Sequence, residues 1–213
     1  MAEAKRNTHW GWMATALVFA ILIIDQIIKI WVKTHMSLGE AIHVTDWFYI
    51  EFIENNGMAY GMTFINKLVL SLFRMVAIGF ISVFLYKVIR SGRSLGYITC
   101  LSMVLAGAAG NLIDCLFYGL IFEASSPFSI ASFTSFGDGY SEFLHGKVVD
   151  MFYFPIIQTT WPDWMPMCGG QDFVFFSPVF NFADACISVG VVLLLIFYRA
   201  ELEVMGKVWK NQE

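Results

Sequence analysis

Residues 10–32 read WGWMATALVFAILIIDQIIKIWV, and this stretch decides the class of fold. A helix needs about 20 predominantly apolar residues to cross a bilayer, and this run is long enough. It does not fit a cleavable signal peptide, because it is too long, contains Asp25 and Lys29, and lacks a small-residue cleavage site. Three further apolar runs occupy 68–89, 97–118 and 179–198. The sequence therefore predicts an all-α membrane protein, with four transmembrane helices in a single domain over residues 1–213.

The amino-acid composition also indicates a membrane protein. Of the 213 residues, 58% are hydrophobic and only 14% are charged, whereas soluble domains carry about 25% charged residues. The net charge of −4 offers no general attraction to phosphate, so no nucleic-acid partner is expected. The four cysteines show no paired spacing and the four histidines no metal-ligand spacing. Disulfides, a metal site and a cofactor are therefore not expected.

The distribution of lysine and arginine orients the predicted bundle. One side carries the larger share, in the amino-terminal segment, between the second and third helices, and in the tail: Lys5, Arg6, Lys87, Arg90, Arg93, Arg199, Lys207 and Lys210. The opposite side carries only Lys33, Lys67 and Lys147, across two much longer segments, 33–67 and 119–178. Positive residues accumulate on the cytoplasmic side of membrane proteins, so both termini are predicted to be cytoplasmic and the two long segments external.

The two external segments differ in pattern. Residues 43–53 (HVTDWFYIEFI) are rich in β-branched and aromatic residues, which favours a small sheet. Residues 124–146 are rich in Ser, Phe and Gly and are interpreted as a loop. The Ser and Gly content indicates mobility, and the phenylalanines indicate contact with lipid or substrate. We predict that this loop is an accessory flap or a membrane-surface segment.

Ionisable side chains inside a span are costly and are candidates for function. The predicted spans contain Asp25, Lys29, Arg74, Asp114 and Asp184. At about 1.5 Å per residue, Asp114 and Asp184 lie about 8 Å below the outer ends of their helices, and Asp25 and Arg74 about 12 Å. The carboxylates therefore form one layer near the external surface. Asp25 and Lys29 are spaced i, i+4, and a structural ion pair between them is favoured over a catalytic role.

Five short motifs follow one another along the chain. They are Asp25-Gln26-Ile27-Ile28-Lys29, Glu54-Asn55-Asn56-Gly57-Met58-Ala59-Tyr60-Gly61, Gly110-Asn111-Leu112-Ile113-Asp114, Val148-Val149-Asp150 and Phe180-Asn181-Phe182-Ala183-Asp184. Their order, on a predicted four-helix protein with both ends inside, resembles lipoprotein signal peptidase, also called signal peptidase II. The resemblance covers nearly the whole chain.

The resemblance implies an aspartic endopeptidase of the bacterial cytoplasmic (inner) membrane. That family removes the signal peptide of a prolipoprotein just before a cysteine that carries a diacylglyceryl group. Its catalytic aspartates correspond to Asp150, on the loop entering the outer leaflet, and Asp184, near the start of the fourth helix. Both would lie near the outer (periplasmic) face. Residues that line or brace the family's site correspond to Asp25, Lys29, Asn55, Gly110, Asn111, Asp114 and Asn181.

The resemblance also implies the partners and the form of the external segments. The expected partners are a prolipoprotein with a diacylglyceryl-cysteine and membrane lipid, and the protein is expected to act as a monomer. The first external segment resembles the family's β-cradle, a small sheet on the outer membrane surface. Tyr60 stands where the family usually has Phe, and the loop 124–146 lengthens the interval between Asp114 and Asp150.

One departure from the family pattern concerns the site itself. Cys115 stands directly after the GNLxD motif, where the family usually has an arginine. Arg74 lies at nearly the depth of Asp25, and a guanidinium there needs a partner in the bundle. We hypothesise that Arg74 replaces the absent arginine, with Asp114 or Asp25 as its partner. The alternative is that its long side chain extends to the membrane interface.

Two other interpretations come from different functional classes. Buried carboxylates can also serve as the proton relay of a small membrane transporter. Four spans without an inverted repeat are few for such a protein. An inactive relative acting as a scaffold is the third interpretation, and the presence of both Asp150 and Asp184 argues against it.

Overall fold

A computed structural model describes residues 2–56 and 67–201 of the chain. The described residues form four long helices: α1 (Ala2–His35), α2 (Lys67–Arg90), α3 (Leu95–Ile121) and α4 (Phe182–Phe197). Within α3, the α-helical part Leu95–Ile113 continues through a π-helical turn at Asp114–Tyr118. All five prolines of the chain lie between residues 127 and 178, so none interrupts a helix.

The lengths of the helices differ from those predicted. Three described segments are long and apolar enough to cross a membrane: Asn7–His35, Lys67–Arg90 and Leu95–Ile121. Helix α4 has 16 residues and starts at Phe182, so the prediction of a helix over 179–198 was wrong at its amino-terminal end. Asn181 adopts an extended conformation and is the N-cap of α4, so the helix begins at the next residue. The four-span count and the cytoplasmic termini remain predictions, and the tail beyond residue 201 lies outside the described residues.

In the part of the chain that the structure describes, six strands cover the end of the bundle where the two long connecting segments lie. They are β1 (Ala41–Thr45), β2 (Phe48–Asn55), β3 (Val148–Tyr153), β4 (Ile157–Thr160), β5 (Asp172–Phe175) and β6 (Val179–Phe180). Strands β1, β2, β3 and β6 form one antiparallel sheet in that order, and β4 and β5 form a separate hairpin. The prediction of an all-α protein was therefore wrong, since the described residues also form two β-sheets. The predicted cradle is present as the four-stranded sheet, and its strands come from both connecting segments.

Small residues allow α3 to pack closely against its neighbours. A methyl group on Gly107 would overlap the carbonyl oxygen of Ala183 in α4. One on Gly110 would lie 2.7 Å from Asp25 Oδ2 in α1. Through these two glycines α3 packs closely against α1 and α4. This packing brings polar side chains of α1, α3 and α4 together.

The segment 124–146 folds back onto the end of α3. The backbone N–H of Thr134 donates to the Ile121 carbonyl at 2.8 Å, and that of Ser141 donates to Gly119 at 2.9 Å. The N–H of Gly146 donates to the carbonyl of Cys115, inside the π-helical turn, at 2.9 Å. The segment is therefore bonded along the last turns of α3, while its side chain Phe128 remains 96% exposed.

Candidate active site

The first turn of α4 fixes one of the two predicted catalytic residues. The side-chain oxygen of Asn181 accepts a hydrogen bond from the backbone N–H of Asp184 at 2.9 Å. The Asp184 carboxylate in turn accepts from the backbone N–H of Asn181 at 3.4 Å, which completes a capping box. The other carboxylate oxygen of Asp184 accepts from the Asn111 amide at 2.7 Å. Asp184 is half-buried and its direction is determined by these bonds.

Asp150 lies in the middle of strand β3, so the prediction that it lies on a loop was wrong. Val148 to Tyr153 are mostly β-branched or aromatic, which explains the strand. The Asp150 side chain is 2% exposed. One of its carboxylate oxygens accepts from the Asn181 amide at 2.7 Å, and the other accepts from the Asn55 amide at 3.1 Å.

Asn181 therefore joins the two aspartates. Its amide group donates to Asp150, while its backbone and side chain hold Asp184 in the capping box. Burial, followed by the negative charge of Asp184, raises the pKa of Asp150 to about 7. Two carboxylates that interact in this way cannot both ionise readily and tend to hold one proton between them.

A buried ionic network lies beside the aspartates. The ammonium group of Lys29 is fully buried and lies 2.9 Å from both Asp25 Oδ2 and Asp114 Oδ2. It also donates to Asn111 Oδ1 at 2.8 Å. The predicted i, i+4 ion pair of Asp25 and Lys29 is present, and Asp114 shares its cation.

The same network joins the elements that carry the site. Asp25 accepts from the backbone N–H of Ala183 in the first turn of α4, at 2.9 Å. Asp114 accepts from the backbone N–H of Val149, next to Asp150 in β3, at 3.3 Å. Lys29 and its two carboxylates therefore fasten α1 and α3 to the two elements that present the aspartates.

Gln26 belongs to this network and was not predicted as a site residue. Its amide donates to Asp114 at 2.9 Å and to Asp25 at 3.2 Å, and its oxygen accepts from the Tyr118 hydroxyl at 3.1 Å. An uncharged polar residue directly after Asp25, inside an apolar run, was the signal in the sequence. Gly57 to Gly61, which complete the second motif, lie outside the described residues.

Arg74 lies beside Cys115, not in the ionic network. Its Nη1 is 3.1 Å from Cys115 Sγ, whereas the carboxylates of Asp25 and Asp114 take Lys29. The hypothesis that one of these carboxylates is the partner of Arg74 is corrected accordingly. The guanidinium nevertheless lies beside position 115, where the family pattern has an arginine. The replacement of that arginine by Arg74 therefore remains a prediction.

A double-mutant cycle tests this replacement. We expect Arg74→Leu to lower either cleavage activity or the melting temperature in detergent, because it removes the only guanidinium that the described residues place at Cys115. In that background Cys115→Arg is expected to restore part of the loss. Alone, Cys115→Arg should be harmful, because it places two cations together at a buried position. Arg90→Leu, at the far end of α2, is the control. Equal behaviour of Arg74→Leu and wild type in both measurements would refute the replacement.

The fold and the site define a class of protein. Apolar helices long enough to span a bilayer carry a polar site with a pair of linked carboxylates, as expected of a multi-pass membrane enzyme. The family model for signal peptidase (SPase) II matches residues 17–199, and the chain belongs to that family.

Individual relatives agree with this assignment. The chain is 51% identical over 206 residues to the lipoprotein signal peptidase of Porphyromonas gingivalis, covering 96% of this chain and 91% of the relative. It is 31% identical over 199 residues to that of Amoebophilus asiaticus, covering 90% and 80%. Two solved bacterial membrane enzymes, at 1.9 and 2.3 Å resolution, share the fold. Their TM-scores are 0.58 and 0.60, their identities 23% and 22%, and the matches cover 86% and 89% of this chain and 90% and 89% of theirs.

Proposed function

We propose that this member of the signal peptidase II family, which removes signal peptides from prolipoproteins, is an aspartic endopeptidase with Asp150 and Asp184 as its catalytic residues. The observation that carries the proposal is the position of Asn181. It donates to Asp150 while capping the helix turn that holds Asp184, so both carboxylates are directed by one residue.

The proposed mechanism uses one proton shared by the two carboxylates. The ionised aspartate removes a proton from a water molecule, whose oxygen attacks the scissile carbonyl carbon. The protonated aspartate donates a hydrogen bond to the carbonyl oxygen, where negative charge develops. In the second step a proton passes to the departing nitrogen as the C–N bond breaks, so the pair ends with one proton again. The amides of Asn55 and Asn111 hold the carboxylates in place without adding charge.

The position of the site at one end of the helices suits a lipid-modified substrate. The acyl chains of a diacylglyceryl-cysteine can remain in the bilayer while the adjacent peptide bond enters the site between the bundle and the sheet. With both termini in the cytoplasm, as the lysine and arginine distribution predicts, the aspartates face the outer side of the inner membrane. The transporter alternative gains no support from the relatives, which are peptidases by name.

A cleavage assay tests the proposed function. The purified full-length protein, in detergent, is incubated with a prolipoprotein that carries the diacylglyceryl group. The same precursor without the lipid is the control. We expect cleavage immediately before the modified cysteine, and much slower cleavage of the control. Failure to cleave the lipidated precursor, or cleavage at another position, would contradict the proposal.

The pKa of Asp150 predicts a pH dependence. Its value of about 7 reflects burial and the charge of Asp184, opposed by the asparagine hydrogen bonds and by Lys29. Above that pH the pair loses its shared proton and hence its general acid. We therefore expect kcat/KM to fall from about pH 7 upward, approaching tenfold per pH unit. A profile measured from pH 5 to 9 checks this, and a rate that stays constant to pH 9 would contradict it.

A further inference from the structure

A second buried charged cluster lies outside the aspartate pair, where α1 ends and strands β2 and β3 meet. Lys33 Nζ lies 2.6 Å from Glu54 Oε1, and Lys147 Nζ lies 2.9 Å from Glu54 Oε2. Ser125 accepts from Lys33 at 2.7 Å and donates to Glu54 at 2.8 Å. These four residues, Lys33, Glu54, Ser125 and Lys147, are called the Glu54 cluster below.

The cluster is built to keep Glu54 ionised at a buried position. The side chain of Lys33 is 0% exposed and that of Glu54 is 2% exposed. Burial alone would raise the pKa of Glu54, but Lys33, Lys147 and Ser125 hold it below its ordinary value. The ring of Tyr140 lies 5.0 Å from Lys33 Nζ and 5.6 Å from Lys147 Nζ, within range of cation–π attraction. Removing the carboxylate would leave two cations without their counter-ion.

Two residues of the Glu54 cluster lie next to elements that hold Asp150. Glu54 directly precedes Asn55, whose amide donates to Asp150. Lys147 directly precedes β3, and Glu54 and Asn55 stand opposite Val149 and Val148 in the β2–β3 ladder. The register of that ladder shifts between Ile50 and Ile53, and from Ile53 to Asn55 the two strands pair in regular register. The Glu54–Lys147 ion pair fixes the two strands at the end that carries the site.

The cluster also incorporates the 124–146 segment. Ser125 comes from the start of that segment and Tyr140 from near its end. The hydroxyl of Tyr140 accepts from the backbone N–H of Lys147 at 2.6 Å. Lys33 extends the face of α1 that carries Asp25 and Lys29, one helical turn further on. One helix face therefore supports the aspartates through Lys29 and the sheet through Lys33.

We infer that Glu54 is a positioning residue for signal-peptide cleavage: its cluster ties α1, β2, β3 and the 124–146 segment together so that Asn55 is held against Asp150. The inference rests on the proposed role of Asp150 and Asp184. It makes the 124–146 segment a part of the structure that supports the chemical step, in contrast to the accessory flap expected from its composition.

Glu54→Gln tests the inference, since it removes the charge and keeps the shape of the side chain. We expect kcat to fall by about 10- to 100-fold, while KM for the lipidated prolipoprotein changes by less than about threefold. The hydrogen bond from Asn55 lowers the pKa of Asp150, so its loss should also displace the alkaline limb of the pH profile to higher pH. Ser125→Ala, a milder change, should alter kcat in the same direction. Glu142→Gln, an exposed residue of the same segment, is the matched control.

The outcomes separate this inference from the proposed function. If wild type cleaves the lipidated precursor and Asp150→Asn does not, the proposed catalytic pair stands. Wild-type kcat and an unchanged alkaline limb in folded Glu54→Gln would then overturn the positioning role alone. If Glu54→Gln does not fold, Ser125→Ala decides: a lower kcat with a displaced alkaline limb supports the inference, and wild-type values refute it.

Discussion

Asp150→Asn and Asp184→Asn are each expected to lower the rate of prolipoprotein cleavage by about 10³-fold or more, while both variants still fold. Either change removes a carboxylate that must hold or receive the shared proton, and the remaining aspartate cannot act as both acid and base. The amide of the new asparagine is close in shape to the carboxylate, so the hydrogen bonds with Asn181 and Asn55 or Asn111 can largely be kept. Cleavage of the lipidated precursor by purified protein is the measurement.

The matched control for this prediction is Asp138→Asn. Asp138 is exposed on the 124–146 segment, so its replacement removes one carboxylate that lies outside the catalytic pair. The melting temperature of each variant in detergent shows whether it is folded. Turnover near the wild-type rate by a folded Asp150→Asn or Asp184→Asn would exclude the shared-proton mechanism.

Lys29→Met is expected to have the largest effect on stability. The lysine is fully buried and is the shared counter-ion of two carboxylates, Asp25 and Asp114, which are 1% and 0% exposed. Removing one partner of a buried ionic group costs about 3–5 kcal/mol of the free energy of unfolding, because the remaining charges have no counter-ion. The sheet and α4 should loosen as well, since both carboxylates accept hydrogen bonds from those elements. Unfolding in detergent is the measurement.

A second substitution shows whether charge is the cause. Asp114→Asn in the Lys29→Met background removes one of the two uncompensated carboxylates and should recover part of the lost stability. Lys87→Met, in the last turn of α2, is the control and should change the free energy of unfolding by less than about 1 kcal/mol. If Lys29→Met unfolds at the wild-type temperature, the ionic network is not what fastens α1 and α3 to the site.

Much of the fold could be predicted because hydropathy is a local property. The apolar runs around residues 10–32, 68–89 and 97–118 each correspond to a helix, and the motifs identify the family that the relatives confirm. The sheet was only partly predictable. Residues 43–53 show a strand pattern, whereas β6 has two residues and forms because β3 lies beside it.

The candidate site shows the same division. Asp150, Asp184, Asn111 and Asn181 were identified by motif, and the structure joins them through hydrogen bonds. Gln26 was not predicted as a site residue although it lies in the first motif, because the sequence does not show which residues an uncharged amide will hydrogen-bond. Arg74 was assigned to a carboxylate on depth alone. Depth along a helix axis fixes the layer of a side chain but not the neighbour it meets.

By itself the sequence determined that this is a multi-pass membrane protein of the signal peptidase II family, and it identified the residues proposed to carry the chemistry. Apolar length and motif order are readable along the chain, so no contact had to be known. Only the tertiary structure shows that Lys29 forms ion pairs with both Asp25 and Asp114. It also shows that Arg74 contacts Cys115. Glu54 binds two lysines and a serine, Lys33, Lys147 and Ser125. These contacts mostly join residues far apart in the chain. A buried charge is stable beside any suitable partner, so only the packing of the helices and the sheet determines which partner it meets.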